Sequence, residues 1–325
     1  MSLSISVAMC TFNGRRFLNA QLDSIAAQDR PPDELVVCDD GSSDGSVEII
    51  REFALRSPFP TRLVVNQKNL GSTKNFEKAI SLSQGEIVAL ADQDDVWYRH
   101  KLDTIEKAFL QSSEIVAAFS DADMVDDKSR LLKFHLWPTF CFDRAEQSQF
   151  AKGNAVGVLT IHPVVTGATM AFRKQFFEPM APIPANEIHD SWISFLLGAC
   201  GRIEPIAEPL MQYRLHQGQQ IGTGSLTMRG RIAQIGRNGV SFYLREIDRF
   251  QQLYDRLEER KADFPYADGV QREVERKICH LEHRAWLPRM RIARIPRVLR
   301  EALNGGYRRY SGGWRSLAID LVVRR

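Results

Sequence analysis

Between residues 5 and 111 a short apolar run gives way four times to a longer stretch with helical spacing. "ISVAMC" is followed by "RRFLNAQLDSIAAQ", "ELVVCDD" by "SVEIIREFALRS", "TRLVVNQ" by "TKNFEKAISLS", and "EIVALAD" by "RHKLDTIEKAFLQ". Strands that are apolar throughout are buried on both faces, so helices must cover both sides of an open, mostly parallel α/β sheet. In such sheets ligands sit beyond the carboxyl ends of the strands. Three strand ends therefore bring polar chemistry to one rim: "CTFNG", "CDDGSSDGS" and "ADQDD".

The last of these sets Asp92, Asp94 and Asp95 within four positions after the apolar "GEIVALA". Carboxylates this close raise one another's pKa unless a cation or a hydrogen-bond network compensates them. The run is either a metal site or an acidic turn whose charge favours the N-terminus of the helix behind it. "CDDGSSDGS" likewise reads as a ligand loop or as a helix start with Ser43 or Asp44 as N-cap. "TFNG" reads as a ligand loop or a turn. Asp190 in "EIHDSWIS" is an N-cap candidate with an apolar run behind it. Trp97 and Trp192 are either stacking faces for a ligand or core residues.

Composition narrows the class. Of 325 residues 44% are apolar and 26% charged, the balance of an ordinary globular protein. Five cysteines, scattered and without a CxxC pair, argue against a disulfide framework or a zinc knuckle and suit a reducing cytoplasm. "MSLSISVAMC" reads as a first strand and not as a leader peptide. The apolar run around "WISFLLGAC" is too short to span a bilayer.

Charge divides unevenly: residues 226–325 hold 22 Lys and Arg against 12 Asp and Glu, and the rest of the chain 21 against 28. Two regions are expected, 1–225 and a basic, mainly helical 226–325, with the boundary near "GQQIGTGSLTMRG". Within the second, "RAWLPRMRIARIPRVLR" interleaves Arg291, Arg294 and Arg297 with bulky apolar residues. Such a segment is either a surface for an anionic membrane or a set of short helices docked on the protein with arginines in solvent. No nucleic-acid-binding fold accompanies it; an oligomer is left open.

"SVAMCTFNG", "ELVVCDDGSSDGS", "NQKNLGSTKNF", "ALADQDDVW", "TGATMAFR", "IHDSWIS" and "YRLHQGQQIG" together resemble the family 2 glycosyltransferases of the GT-A fold, in particular their bacterial rhamnosyltransferase-like members. They occur in that family's order over roughly the first 225 residues. The resemblance implies an inverting transfer from a nucleotide-sugar, dTDP- or UDP-linked, to a glycan or lipid-linked acceptor, with Mg²⁺ or Mn²⁺ as cofactor. It implies that Asp94 and Asp92 hold the metal, with His216 able to complete its shell, and that Asp190 is the general base. Thr11, Phe12, Asn13, Asp40, Lys74, Asp92, Gln93 and Arg214 are implied in donor binding. Asp95 is expected behind the metal ligands. Where processive members carry QxxRW, "YRLHQGQQIG" has no Trp, which implies a non-processive enzyme. A haloacid-dehalogenase-like phosphatase would need its nucleophilic Asp after the first strand, where "CTFNG" stands. A nucleotide- or carbohydrate-binding module would keep the rim without using Asp190.

Overall fold

The computed structural model describes residues 2–216 and 239–322. The alternating pattern becomes β1 (Ile5–Thr11), α1 (Arg15–Ala26), β2 (Glu34–Asp39), α2 (Ser46–Arg56), β3 (Thr61–Val65), α3 (Ser72–Leu82), β4 (Ile87–Ala91), a two-residue β5 (Val96–Trp97) and α4 (Lys101–Gln111). All of β1 and β4 is buried, whereas β3, at the sheet edge, is half open. The helices bury residues three and four apart, such as Leu18, Leu22 and Ile25 of α1 and Leu102, Ile105 and Phe109 of α4, the stripe an amphipathic helix turns to a sheet.

The chain continues through β6 (Ile115–Val125), β7 (Leu131–His135), α5 (Leu136–Thr139), α6 (Arg144–Ala151), α7 (Ala155–Leu159), β8 (Met170–Arg173), α8 (His189–Leu197) and β9 (Arg202–Arg214). The sheet order is β3-β2-β1-β4-β8-β6-β9-β5, with β7 beside β6. The β3-β2-β1-β4 part is parallel, as is β6 with β9. β8 runs antiparallel between β4 and β6, so the complete sheet is mixed. β1 lies between β2 and β4, and the crevice at such a switch of strand order is the expected ligand position. The pairing of Val96 with Gln212 and Trp97 with Met211 brings the end of β9 alongside the acidic turn.

Two long helices, α9 (Val240–Glu259) and α10 (Ala267–Ala285), pack along one another and against α8, where Phe195 meets Phe250 edge-on at 5.9 Å. Their apolar residues join the core of the sheet domain. Three shorter helices, α11 (Arg291–Leu303), α12 (Gly306–Tyr310) and α13 (Trp314–Val322), enclose a small core of Leu287, Val298 and Tyr307. The expected boundary at 225/226 falls outside the described residues.

Several local readings change. Trp97 and Trp192 are 3% and 1% exposed and belong to the core, not to a sugar platform. Gly45 is the N-cap of α2, and Asp44 instead accepts from the Ser46 N–H and hydroxyl. Ile188 is the N-cap of α8, which leaves Asp190 inside its first turn. Arg294 is not in solvent: it is 1% exposed and donates to the carbonyls of Pro288, Arg289 and Asp320.

Candidate active site

The first two strand ends interlock before any ligand arrives. Asp39 accepts from the Thr11 hydroxyl at 2.7 Å and from the Ser42 hydroxyl at 2.6 Å. Asn13 closes the junction, its N–H donating to the Ser42 hydroxyl and its side-chain carbonyl accepting from the Ser43 N–H. Asp40 is held by the Asn66 amide and by the N–H groups of Leu70 and Gly71. Gln93 ties the third strand end to the first like an extra rung of sheet: it accepts from the Phe12 N–H at 2.8 Å and donates to the Phe12 carbonyl at 3.1 Å. A Cβ on Gly14 would stand 2.2 Å from the Gln93 amide oxygen, so any other residue there would push the Gln93 amide out of this position.

These ends surround a cavity of about 230 Å³ walled by Thr11, Phe12, Asp40, Asp92, Gln93 and Asp94 on one side and by Thr166, Gly167, His189, Asp190 and Tyr213 on the other. The carboxylates of both walls thus face one space. Asp190 is fixed by two backbone donors, Gly167 N–H to Oδ2 at 2.9 Å and Ser191 N–H to Oδ1 at 2.6 Å. A side chain on Gly167 would come 2.8 Å from His189 Nε2. The His189 ring lies flat on Phe76, with centroids 4.0 Å apart, and its Nε2 has no partner among the described residues. Burial lowers the pKa of this imidazole against the pull of Asp190, which leaves it neutral.

The acidic turn is anchored from behind. The Arg214 backbone N–H donates to Asp95, and its guanidinium donates to the Asp94 carbonyl at 2.7 Å and to the Ser129 hydroxyl, stacked over Phe17 at 4.6 Å. His216 Nε2 meets Asp94 Oδ2 at 2.6 Å. Beneath lies Lys101, wholly buried, its Nζ 4.0 Å above the Trp97 ring and donating to the Ala168 carbonyl at 2.7 Å. Burial pushes Lys101 down to about 7 although Asp95 and Asp92 pull the other way. Burial, and then the neighbouring Asp94 and Asp190, raise Asp92 to about 7. Asp95 is raised by burial, Asp94 and Asp92, and the Tyr213 phenol by burial and the same carboxylates.

The expected site residues thus fall into two groups. Thr11, Phe12, Asp40, Asp92, Gln93, Asp94 and Asp190 line the cavity. Asn13, Lys74, Arg214 and His216 do not: Lys74 is paired with Glu77 at 2.8 Å, and Arg214 buttresses the acidic turn and does not reach into the cavity. Sequence reading passed over Asp39, Lys101, Gly167 and Tyr213 and left His189 without a role. Asp39, Gly167, His189 and Tyr213 all lie within the quoted motifs but without a role there, and only Lys101 lies outside them.

A divalent cation suits the donor set. The Asp92 carboxylate accepts no hydrogen bond among the described residues, and burial with Asp94 and Asp190 disfavours its ionised form more than Lys101 supports it, a balance that a bound cation would reverse. Among those residues no three acidic, histidine or cysteine side chains form a cage that could hold an ion by themselves. Hard ions that complete their shells with phosphates and water need only one or two carboxylates, here Asp92 and Asp94.

The family profile described as Glycosyl transferase family 2 matches residues 6–179. An uncharacterized glycosyltransferase of Nostoc sp. is 30% identical over 219 residues, 66% of this chain and 65% of the relative, so the chain spans just under two thirds of that relative's length. A putative teichuronic acid biosynthesis glycosyltransferase of Bacillus subtilis is 27% identical over 216 residues, 65% of this chain and 79% of the relative. Among solved structures, a mannosyltransferase of Pyrobaculum calidifontis in complex with GDP-Man and Mn²⁺ superposes with a TM-score of 0.53 at 19% identity, covering 99% of this chain and 86% of that one, which shows a shared fold. With more than half of its length matched by the family profile, the chain belongs to glycosyltransferase family 2.

Proposed function

We propose that the protein is an inverting, divalent-metal-dependent, non-processive glycosyltransferase. It moves a sugar from a nucleotide-sugar to a hydroxyl of a polysaccharide or lipid-linked glycan in the cytoplasm. The observation that carries the reading is the shared cavity: Asp92 and Asp94 on one wall, Asp190 held by the Gly167 and Ser191 N–H groups on the other. In this assignment the nucleoside lies over Thr11, Phe12 and Asp40, and the diphosphate reaches Asp92 and Asp94. Bound there, Mg²⁺ or Mn²⁺ offsets charge on the departing nucleoside diphosphate. Asp190 accepts the proton of the acceptor hydroxyl as that oxygen attacks the anomeric carbon from the side opposite the diphosphate, so the configuration inverts. Asn13 and Gln93 hold the donor loops, Arg214 and His216 brace the acidic turn, and Lys74 offers a charge at the rim. A dTDP-linked deoxysugar such as rhamnose is the donor the motif set favours, with UDP-linked sugars the alternative. Five free thiols suit the reducing compartment this assignment needs.

The test is Asp190→Asn. Turnover is expected to fall by two or more orders of magnitude with donor affinity unchanged, since the base acts on the acceptor's proton. A parallel fall in donor affinity would make Asp190 a binding residue, and full activity in excess EDTA would remove the metal. A thermal-shift series of dTDP- and UDP-sugars with Mn²⁺ identifies the donor, because the true one stabilises the fold by mass action.

A further inference from the structure

Helix α11 shows the solvent its apolar side. Arg294 and Val298 are buried beneath it, yet Ile292 is 77% exposed, Ile295 44%, Leu299 51% and Leu303 88%. At 100° per residue these four and Pro296 share an arc of about 100°, turned away from the line of Arg294 and Val298 that docks the helix. Arg291 borders the arc on one side and Arg300 on the other. Arg294 fastens the preceding connection to the helix through the Pro288 and Arg289 carbonyls, and Arg297 reaches the Trp286 carbonyl. Trp286 and Met290 of that connection are 63% and 73% exposed as well.

Charge identifies the occupant. Among the described residues none of Arg289, Arg291, Arg297 and Arg300 pairs with an acid. Residues 286–303 contain a single carboxylate, Glu301, which is engaged by His280 at 2.6 Å. A soluble surface seldom shows so continuous an apolar strip without a partner. A second copy meeting this face about a two-fold axis would set arginines against arginines. Nucleic acid would use the charge and leave the Ile and Leu strip idle. A bilayer bearing anionic headgroups takes both: the strip enters the headgroup boundary and the flanking guanidinium groups stay with the phosphates. We propose that α11 and the connection before it form a peripheral attachment site for an anionic membrane. The inference stands apart from the reaction assigned to the cavity.

The test is flotation of the full chain with vesicles of phosphatidylcholine alone and with roughly one third phosphatidylglycerol. Recovery on the anionic vesicles is expected to be at least about tenfold higher and to decline as salt screens the arginines. Ile292→Ser combined with Leu299→Ser and Leu303→Ser should abolish binding, and Arg289→Gln with Arg291→Gln and Arg300→Gln should abolish the lipid preference. All six side chains are exposed, so both variants should unfold close to the wild-type temperature, which keeps a negative result interpretable. Equal recovery of the wild type on both vesicles overturns the proposal, as does unchanged binding by either variant. A concentration-dependent dimer that the triple serine variant dissolves, with no vesicle binding by the wild type, assigns the face to a second copy instead.

Discussion

Asp92 is a carboxyl whose burial and acidic neighbours outweigh the pull of Lys101. Its carboxyl titrates near 7 instead of 3.8, through burial first and then through Asp94 and Asp190. The unfolded chain loses this proton above about pH 4 while the folded protein keeps it to about 7, so over that interval the unfolded state binds fewer protons and stability falls as pH rises. At roughly 1.4 kcal/mol per pH unit the loss amounts to a few kcal/mol. Carboxylates with lowered values, such as Asp33 and Glu106, act in the opposite sense, so the informative quantity is wild type minus Asp92→Asn. In EDTA that difference should decline from pH 4 to 7 and then level off, leaving the variant the more stable protein at neutral pH. Parallel stability curves would contradict it. Saturating Mn²⁺ should restore the wild type at pH 7.5 and do little for the variant, because the cation stabilises the ionised form. Asp92 was legible in the sequence as one of three clustered acids, but the separate roles of the three were not. Which carboxylate faces the cavity and which is locked to Arg214 depends on β9, more than a hundred residues away.

At the scale of elements, the first half of the sheet was legible because period and burial coincide there: strands apolar throughout, helices apolar every three or four residues. The second half was not. β9 contains Pro205 and Pro209, its pairing with β6 slips register three times, and β7 is largely exposed, so no clean alternation survives in the sequence. The turn before β8 was hidden for another reason, since its function is a meeting of three elements. Lys101 of α4 holds the Ala168 carbonyl, the Gly167 N–H holds Asp190 of α8, and the His189 ring closes over the glycine. Gly167→Ala tests this junction. The added methyl would stand 2.8 Å from His189 Nε2, so the start of α8 must shift and carry Asp190 with it. A displacement approaching 1 Å can cost about a hundredfold in rate. Turnover should fall between about tenfold and a hundredfold, with donor affinity measured by calorimetry unchanged. Full turnover in this variant would show that the Gly167 contact does not position the base.

For the molecule as a whole, the excess of positive charge after residue 226 gives no hint of how the C-terminal helices are attached to the sheet. Much of the attachment runs through arginines that composition alone would put in water. Arg249 pairs with Glu187 just ahead of α8, and Arg256 donates to the Pro179 and Pro182 carbonyls, which joins α9 to the sheet domain. The outermost helices are joined through Asp320, fully buried in α13. Its carboxylate receives Arg284 of α10 at 2.7 Å, the Tyr307 hydroxyl at 2.8 Å and the Tyr243 hydroxyl at 3.3 Å, and its carbonyl receives Arg294 of α11 at 2.9 Å. One acidic side chain thus connects α9, α10, α12 and α13. Asp320→Ala leaves Arg284 buried without its counter-charge, a change that costs on the order of 3–5 kcal/mol when one partner of a buried pair is removed. The core of Leu287, Val298 and Tyr307 is too small to absorb that loss, and local opening follows the weakest unit of a fold. The loss should appear as faster amide exchange and proteolytic cleavage across residues 286–322, with the parallel sheet still protected and donor binding retained. If exchange instead rose evenly over the sheet and the C-terminal helices, the two regions would unfold as one unit, and Asp320 would support the sheet as much as α11.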